Sequence, residues 1–163
     1  PPQRLPGRRI QRRHSVELRT DKKPSAGQDR RVLERGVLQR RAMTKYHTPG
    51  LWTNTCCTHP RWNEDPALCA TRRLREELGI TGLSLQSAGG IEYRADVGNG
   101  LTEHEVVDVF TAETSADLAM DLNPQEVMQT KWCARGDLIA DIRRDPSVYT
   151  PWLRIYLDAG IAA

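Results

Sequence analysis

The sequence predicts one α/β domain of the α+β kind, and three observations carry that expectation. At 163 residues and 18.4 kDa the chain can bury one substantial core. A helix with both ends marked, residues 65–79, lies between runs that read as strands. A Gly98-Asn99-Gly100 turn joins two of those runs, IEYRADV and LTEHEVVDVFTAE, in the manner of a β-hairpin.

Taken in order, residues 1–36 carry 11 Lys and Arg against 4 Asp and Glu, leaving 13 basic and 17 acidic residues in the rest. The body is mildly acidic, and the sequence pI of about 8.9 comes from the N-terminal quarter. Residues 1–35 follow neither a helical nor a strand period, so they are expected to be poorly ordered, with a domain boundary between 36 and 37. A basic arm attracts phosphates, including those of nucleic acid, but such compositions more often form a solvated tail, and nucleic acid is not the expected partner. No run approaches the roughly 20 apolar residues of a membrane span. The opening PPQRLPGRRI has no apolar signal core. Four Cys, two of them adjacent at Cys56 and Cys57, do not make a disulfide framework, so reduced thiols in a cytoplasm are expected.

GVLQRRA, residues 36–42, reads as a strand, and TPGLW, residues 48–52, as a reversal. Asp65 is the expected N-cap of the helix, Pro66 its first residue and Gly79 its stop. Ala67, Ala70, Leu74 and Leu78 form its apolar stripe, while Arg72 with Glu76 and Arg73 with Glu77 are spaced for i,i+4 ion pairs. Residues 83–88 are a short strand candidate. In the second arm of the hairpin Glu103 and Glu105 share a face and His104 takes the other. Two carboxylates on one face need a cation or a shared proton between them. Residues 126–133 read as a strand, 137–144 as a helix, and 150–160 as an amphipathic closing helix with Trp152 in its first turn.

The chemistry concentrates in residues 53–80, where the Cys57 thiol and His59 imidazole precede the glutamate-bearing helix. R-R-L-R-E-E-L-G-I, residues 72–80, resembles the Nudix box G-x5-E-x7-R-E-U-x-E-E-x-G-U. Glu64, Arg72, Leu74, Glu76, Glu77, Gly79 and Ile80 match it; Thr58 and Arg73 stand where it has Gly and Glu. W-T-N-x-x-C-x-H-P ahead of that box is similar to the type I isopentenyl-diphosphate isomerases, a non-hydrolytic branch of the Nudix fold. RRAMTKYHTPGLWTN (40–54), EYR (92–94), EHEV (103–106), LNPQEVM (122–128) and YTPWLRIYL (149–157) extend the resemblance from Val37 to the end.

That resemblance implies a Nudix-type mixed β-sheet packed between helices. It implies isomerisation of isopentenyl diphosphate to dimethylallyl diphosphate, by protonation of the terminal alkene carbon and loss of a C2 proton from a tertiary carbocation. By residue, it implies Cys57 and Glu105 as catalytic groups, Tyr93 near the acid and Trp152 facing the cation. Arg41, Lys45 and Arg73 would bind the diphosphate, Glu77 its Mg²⁺, and His59, Glu103 and Glu105 a Mn²⁺ or Zn²⁺ ion. A Nudix pyrophosphohydrolase of a nucleoside diphosphate derivative is the alternative, favoured by Glu64, Glu76 and Glu77 and disfavoured by Arg73. A zinc knuckle of Cys56, Cys57, His59 and Cys69 lacks the separated ligand pairs of such sites.

The family draws two further His ligands from its N-terminal part, whereas His14 is the one His before Arg40 here. Either the missing ligands come from elsewhere in the chain, or the metal site is incomplete and the activity impaired. A shifted reading frame upstream of Val37 would produce such a pattern. Translating the coding DNA in its other frames tests this: a His-bearing apolar strand in one of them supports a shift, and its absence from all of them rejects it.

Overall fold

Period-two alternation and turn glycines lay out most of the chain in the computed structural model, which describes residues 10–20 and 35–161. The strands are β1 (Gln11–Thr20), β2 (Arg35–Arg41), β3 (Trp52–Thr53), β4 (Cys56–Thr58), β5 (Gln86–Gly98), β6 (Leu101–Thr114) and β7 (Val127–Ala134). The helices are α1 (Pro66–Leu78), α2 (Arg135–Arg144) and α3 (Pro151–Asp158). Among the described residues the strands form one mixed sheet with the path β3-β2-β1-β6-β5, β4 pairing with β1 and β7 with β2.

β1 is the strand that positions the rest. It runs parallel to β6 from Gln11 opposite Glu105 to Thr20 opposite Thr114, and antiparallel to β4 with Ser15 opposite Cys57. Its existence corrects the expectation of a poorly ordered N-terminal stretch, and β2 spans the boundary drawn between residues 36 and 37. The physical reason is the identity of its buried residues: Arg13, His14, Ser15 and Glu17 are buried beside Val16 and Leu18. A central strand is covered on both faces, so polar residues there erase the apolar alternation by which a strand is recognised. The rest of that stretch, residues 1–9 and 21–34, lies outside the described residues. The candidate strand at 83–88 is corrected as well, since β5 begins at Gln86.

The two faces of the sheet carry separate cores. On one, Ala70, Leu74 and Leu78 of α1 pack on Val16, Leu18, Val37, Phe110 and Val127. Asp65 caps this helix by accepting from the amides of Ala67 (2.9 Å) and Leu68 (3.1 Å). Gly79 ends it at φ 68°, and a Cβ there would stand 2.6 Å from Cβ of Asp121. On the other face Trp152, Leu153 and Tyr156 of α3 cover Leu38, Tyr93, Val107 and Val109. Each fully buried side chain of this size contributes about 1.5–3 kcal/mol.

Glu17 is 1% exposed, and burial pushes its carboxyl up to about 8 against the opposing influences of Arg19, Asn54 and Ser15. The folded chain therefore keeps a proton that the unfolded chain releases near 4.5. This contribution is fully present below pH 4.5 and is lost as the pH rises through 8, because the folded state binds more protons in that window. The stability of the wild type relative to Glu17→Gln should fall between pH 5 and 8, at up to about 1.4 kcal/mol per pH unit. Urea melts of both proteins across that range measure it; a constant difference would refute the assignment.

Candidate active site

Strand alternation sets Glu103 and Glu105 of β6 on the face that also carries Val107 and Val109, and the parallel register brings Arg13 of β1 beside them. Arg13 is 3% exposed and grips Glu103 with both ends of its guanidinium. Nη2 donates to Oε1 at 2.7 Å and Nη1 to Oε2 at 3.1 Å. Nη1 also donates to Tyr93 Oη at 3.0 Å, and Nη2 lies 3.7 Å from Glu105 Oε1. Tyr93 completes the ring by donating to Glu103 Oε2 at 3.0 Å. Burial acts to lower the pKa of Arg13, but the anionic forms of Cys57 and Tyr93 and the carboxylates of Glu103 and Glu105 hold it well above its ordinary value. The cation that two neighbouring carboxylates require is this side chain.

Two imidazoles flank the pair. His59 Nε2 is 3.1 Å from Glu105 Oε1, and the buried His47 has Nε2 3.3 Å from Glu103 Oε1. Burial, followed by the charge of Arg41, lowers His47 to about 4, so it is neutral at pH 7. Glu105 is 1% exposed, and its Oε2 is buried without a hydrogen-bond partner among the described residues. A cleft of about 480 Å³ opens here, lined by Tyr46, His47, Glu103 and Glu105 among others.

Cys57 points to this same face from β4, with Sγ 3.7 Å from Tyr156 Oη. Burial pushes its thiol up to about 11, although Arg13 pulls the other way, so the sulfur carries its proton at pH 7. Trp152 is fully buried and donates from Nε1 to Thr53 Oγ1 at 2.7 Å. Thr53 also accepts from Thr150 Oγ1 (3.1 Å) and donates to Asn54 Oδ1 (3.0 Å), which uses the full capacity of its hydroxyl. The Trp-Thr-Asn run therefore fixes the indole plane. The guanidinium carbons of Arg13 and Arg41 lie 5.1 Å and 5.3 Å from the Trp152 ring centroid. A register shift between Arg40 and Arg41 breaks the alternation of β2 at the point where Arg41 reaches this ring.

A second cluster sits at the end of α1. Glu77 is buried, with Oε1 accepting from Arg73 Nη2 at 2.6 Å and Oε2 from Gln39 Nε2 at 3.0 Å. Arg73 also pairs with Glu76 (2.9 Å) and Glu126 (3.3 Å), and Lys45 pairs with Glu126. Arg72 clamps Glu64 at 2.6 Å and Glu76 at 2.8 Å. Buried Arg41, lowered by its burial, feels Cys57, Glu77 and Glu103 together and lies between the two clusters.

The site residues expected from the sequence thus fall into two groups. Cys57, Tyr93, Glu103, Glu105, His59 and Trp152 gather at Arg13, whereas Lys45, Arg73 and Glu77 gather with Glu126; Arg41 bridges them. Sequence reasoning missed Arg13, His47 and Glu126. Arg13 had one indirect signal, the carboxylate pair that needed a cation; His47 stood unremarked in a turn. His14, the N-terminal His, points elsewhere, its Nδ1 3.3 Å from Asp108.

Among the described residues no three His, Cys, Asp or Glu side chains are arranged to hold a metal ion. The knuckle of Cys56, Cys57, His59 and Cys69 is corrected: Cys56 packs in the α1-side core and Cys57 against the α3-side core. The Mn²⁺ or Zn²⁺ position at His59, Glu103 and Glu105 does not fit the side chains either, because Arg13 and Tyr93 occupy both oxygens of Glu103.

Residues 28–153 match the NUDIX domain model. The isopentenyl-diphosphate Delta-isomerase of Cereibacter sphaeroides is 63% identical over 121 residues, 74% of this chain and 68% of that protein. The same enzyme of Dinoroseobacter shibae is 64% identical over 121 residues, 74% and 69% of the two chains. A solved Deinococcus radiodurans protein superposes with a TM-score of 0.70 at 18% identity, covering 96% of this chain and 88% of its own, a likeness of fold.

Replacing Thr53 by Val leaves the Trp152 and Thr150 donors buried without their acceptor. Thr53→Val should lower the unfolding free energy by about 1–3 kcal/mol in urea melts, and an unchanged midpoint would count against the role given to this hydroxyl.

Proposed function

Because the chain belongs to the type I isopentenyl-diphosphate Delta-isomerases of the Nudix superfamily, we propose that Cys57 and Glu105 are the acid and base of its allylic isomerisation. The reaction converts isopentenyl diphosphate to dimethylallyl diphosphate. The observation that carries the proposal is the protonated Cys57 thiol on the same buried face as the unpartnered Oε2 of Glu105. The thiol gives its proton to the terminal alkene carbon, and the carboxylate takes one from C2. The proton then returns from the carboxyl to the thiolate, which restores both groups.

The intermediate between these steps is a tertiary carbocation. Trp152 is the aromatic ring set against it in this proposal, an interaction of about 2 kcal/mol where water is excluded, on whatever part of the ring Arg13 and Arg41 leave uncovered. Its fixed indole costs no reorganisation when the charge appears. Tyr93 and Tyr156 limit water at the site and hold Glu103 and Cys57 in place through their hydroxyls.

Lys45 and Arg73 receive the diphosphate, exchanging their present carboxylate partners for phosphate oxygens, with Arg41 behind them. Of the metals that the resemblance implies, a Mg²⁺ ion carried by the diphosphate would supply further charge neutralisation through oxygen ligands. Glu77, with Glu126 and Glu76 nearby, is the group that would hold it once Arg73 turns away. Arg73, where a hydrolase box has Glu, draws the helix carboxylates into ion pairs, which supports diphosphate binding over cleavage. Among the described residues no helix is long and apolar enough to cross a membrane. A cytoplasmic setting is part of the proposal, supported by four unpaired cysteines.

Incubation of the protein with isopentenyl diphosphate and Mg²⁺ should give dimethylallyl diphosphate without release of phosphate. Cys57→Ala and Glu105→Gln should each lower the rate by about 10²–10⁴-fold, the usual contribution of a positioned acid or base. Product formation at the wild-type rate by either folded variant, or phosphate as the main product, would refute the assignment.

A further inference from the structure

We infer that the Arg13 guanidinium is the resident cation of this site, standing in a position where His47, His59, Glu103 and Glu105 would otherwise close around one divalent metal ion. Two imidazoles and two carboxylates are a donor set that Zn²⁺ or Mn²⁺ accepts. The four side chains already lie in two close pairs, His47 with Glu103 at 3.3 Å and His59 with Glu105 at 3.1 Å. Arg13 joins the pairs, 2.7 Å from Glu103 and 3.7 Å from Glu105. His47 belongs to this set although nothing in its local sequence marks it.

Three features make Arg13 a fixed occupant. Glu105 is buried and the Glu103 side chain is only 10% exposed, and a charge so placed is retained only when it is paired. The planar guanidinium fork matches Glu103 in a two-bond contact that a metal would have to displace. Finally, Arg13 issues from a strand paired on both sides, to β6 and β4, so its backbone cannot swing out as a loop could. Tyr93 Oη and the Trp152 ring at 5.1 Å hold the side chain itself. The site therefore has its positive charge built into the chain, and metal entry requires the loss of Arg13. This inference stands on the geometry of these seven side chains and is independent of the acid and base roles given to Cys57 and Glu105.

The test is metal retention without substrate. Chelator-stripped protein is incubated with ZnCl₂ or MnCl₂, desalted, and its metal content measured. Wild-type protein should retain no ion whose binding depends on Glu103. Arg13→Ala should retain about one ion per chain, which Arg13→Ala/Glu103→Gln and Arg13→Ala/His47→Ala should lose. A wild-type protein that retains one ion, lost in Glu103→Gln, overturns the inference, as does a folded Arg13→Ala that retains none. Should Arg13→Ala be unfolded without metal, refolding with ZnCl₂ should restore its circular dichroism; failure to do so also overturns it.

Discussion

Two carboxylates side by side on a covered strand cannot remain uncompensated, and the pairing of Glu103 and Glu105 with Arg13 meets that constraint. Tyr93 both donates to Glu103 and accepts from Arg13, His47 meets the same carboxylate, and Trp152 receives the guanidinium against its ring. Behind the cleft this face needs little water, because each of these contacts replaces one with water. A dry face in turn suits a reaction whose intermediate would be captured by water.

The helix and the hairpin were legible because local chemistry alone decides them. Asp65, Pro66 and Gly79 mark the limits of α1 whatever it packs on, and alternation alone sets Glu103 and Glu105 on one face. The roles proposed for Cys57, Trp152, Arg41, Lys45 and Arg73 come only from a family resemblance, since a thiol or an indole has no spacing that announces its role. β1 was illegible because its buried positions include Arg, His, Ser and Glu, each chosen by a tertiary partner absent from the local sequence. β3 and β4, two and three residues long, are too short to show a period. Arg41 reaches Trp152 beside a register shift that no alternation rule would place.

In the proposed reaction the two clusters divide the substrate between them. Lys45, Arg73 and Glu77 form an acidic and basic lattice that can exchange partners with a magnesium diphosphate at little change in net charge. The Arg13 group is the one proposed to face the hydrocarbon end, where the need is a proton donor, a proton acceptor and an electron-rich wall. Arg41 feels Cys57, Glu77 and Glu103 at once, which places its charge within reach of both clusters. The position of Arg73 in α1, one turn before Glu77, ties a departure in the helix motif to this division.

The parallel pairing of β1 with β6 joins the beginning of the described chain to its middle, and the Arg13 to Glu103 contact closes a separation of 90 residues. Contacts of that span carry a large loop-closure entropy and form slowly relative to hairpins and helices. In the folded chain the β1–β6 pairing that completes the middle of the sheet is also the one that brings the Arg13 counter-charge to the carboxylate pair. A break in that pairing would therefore cost the sheet a central strand and the carboxylates their cation together.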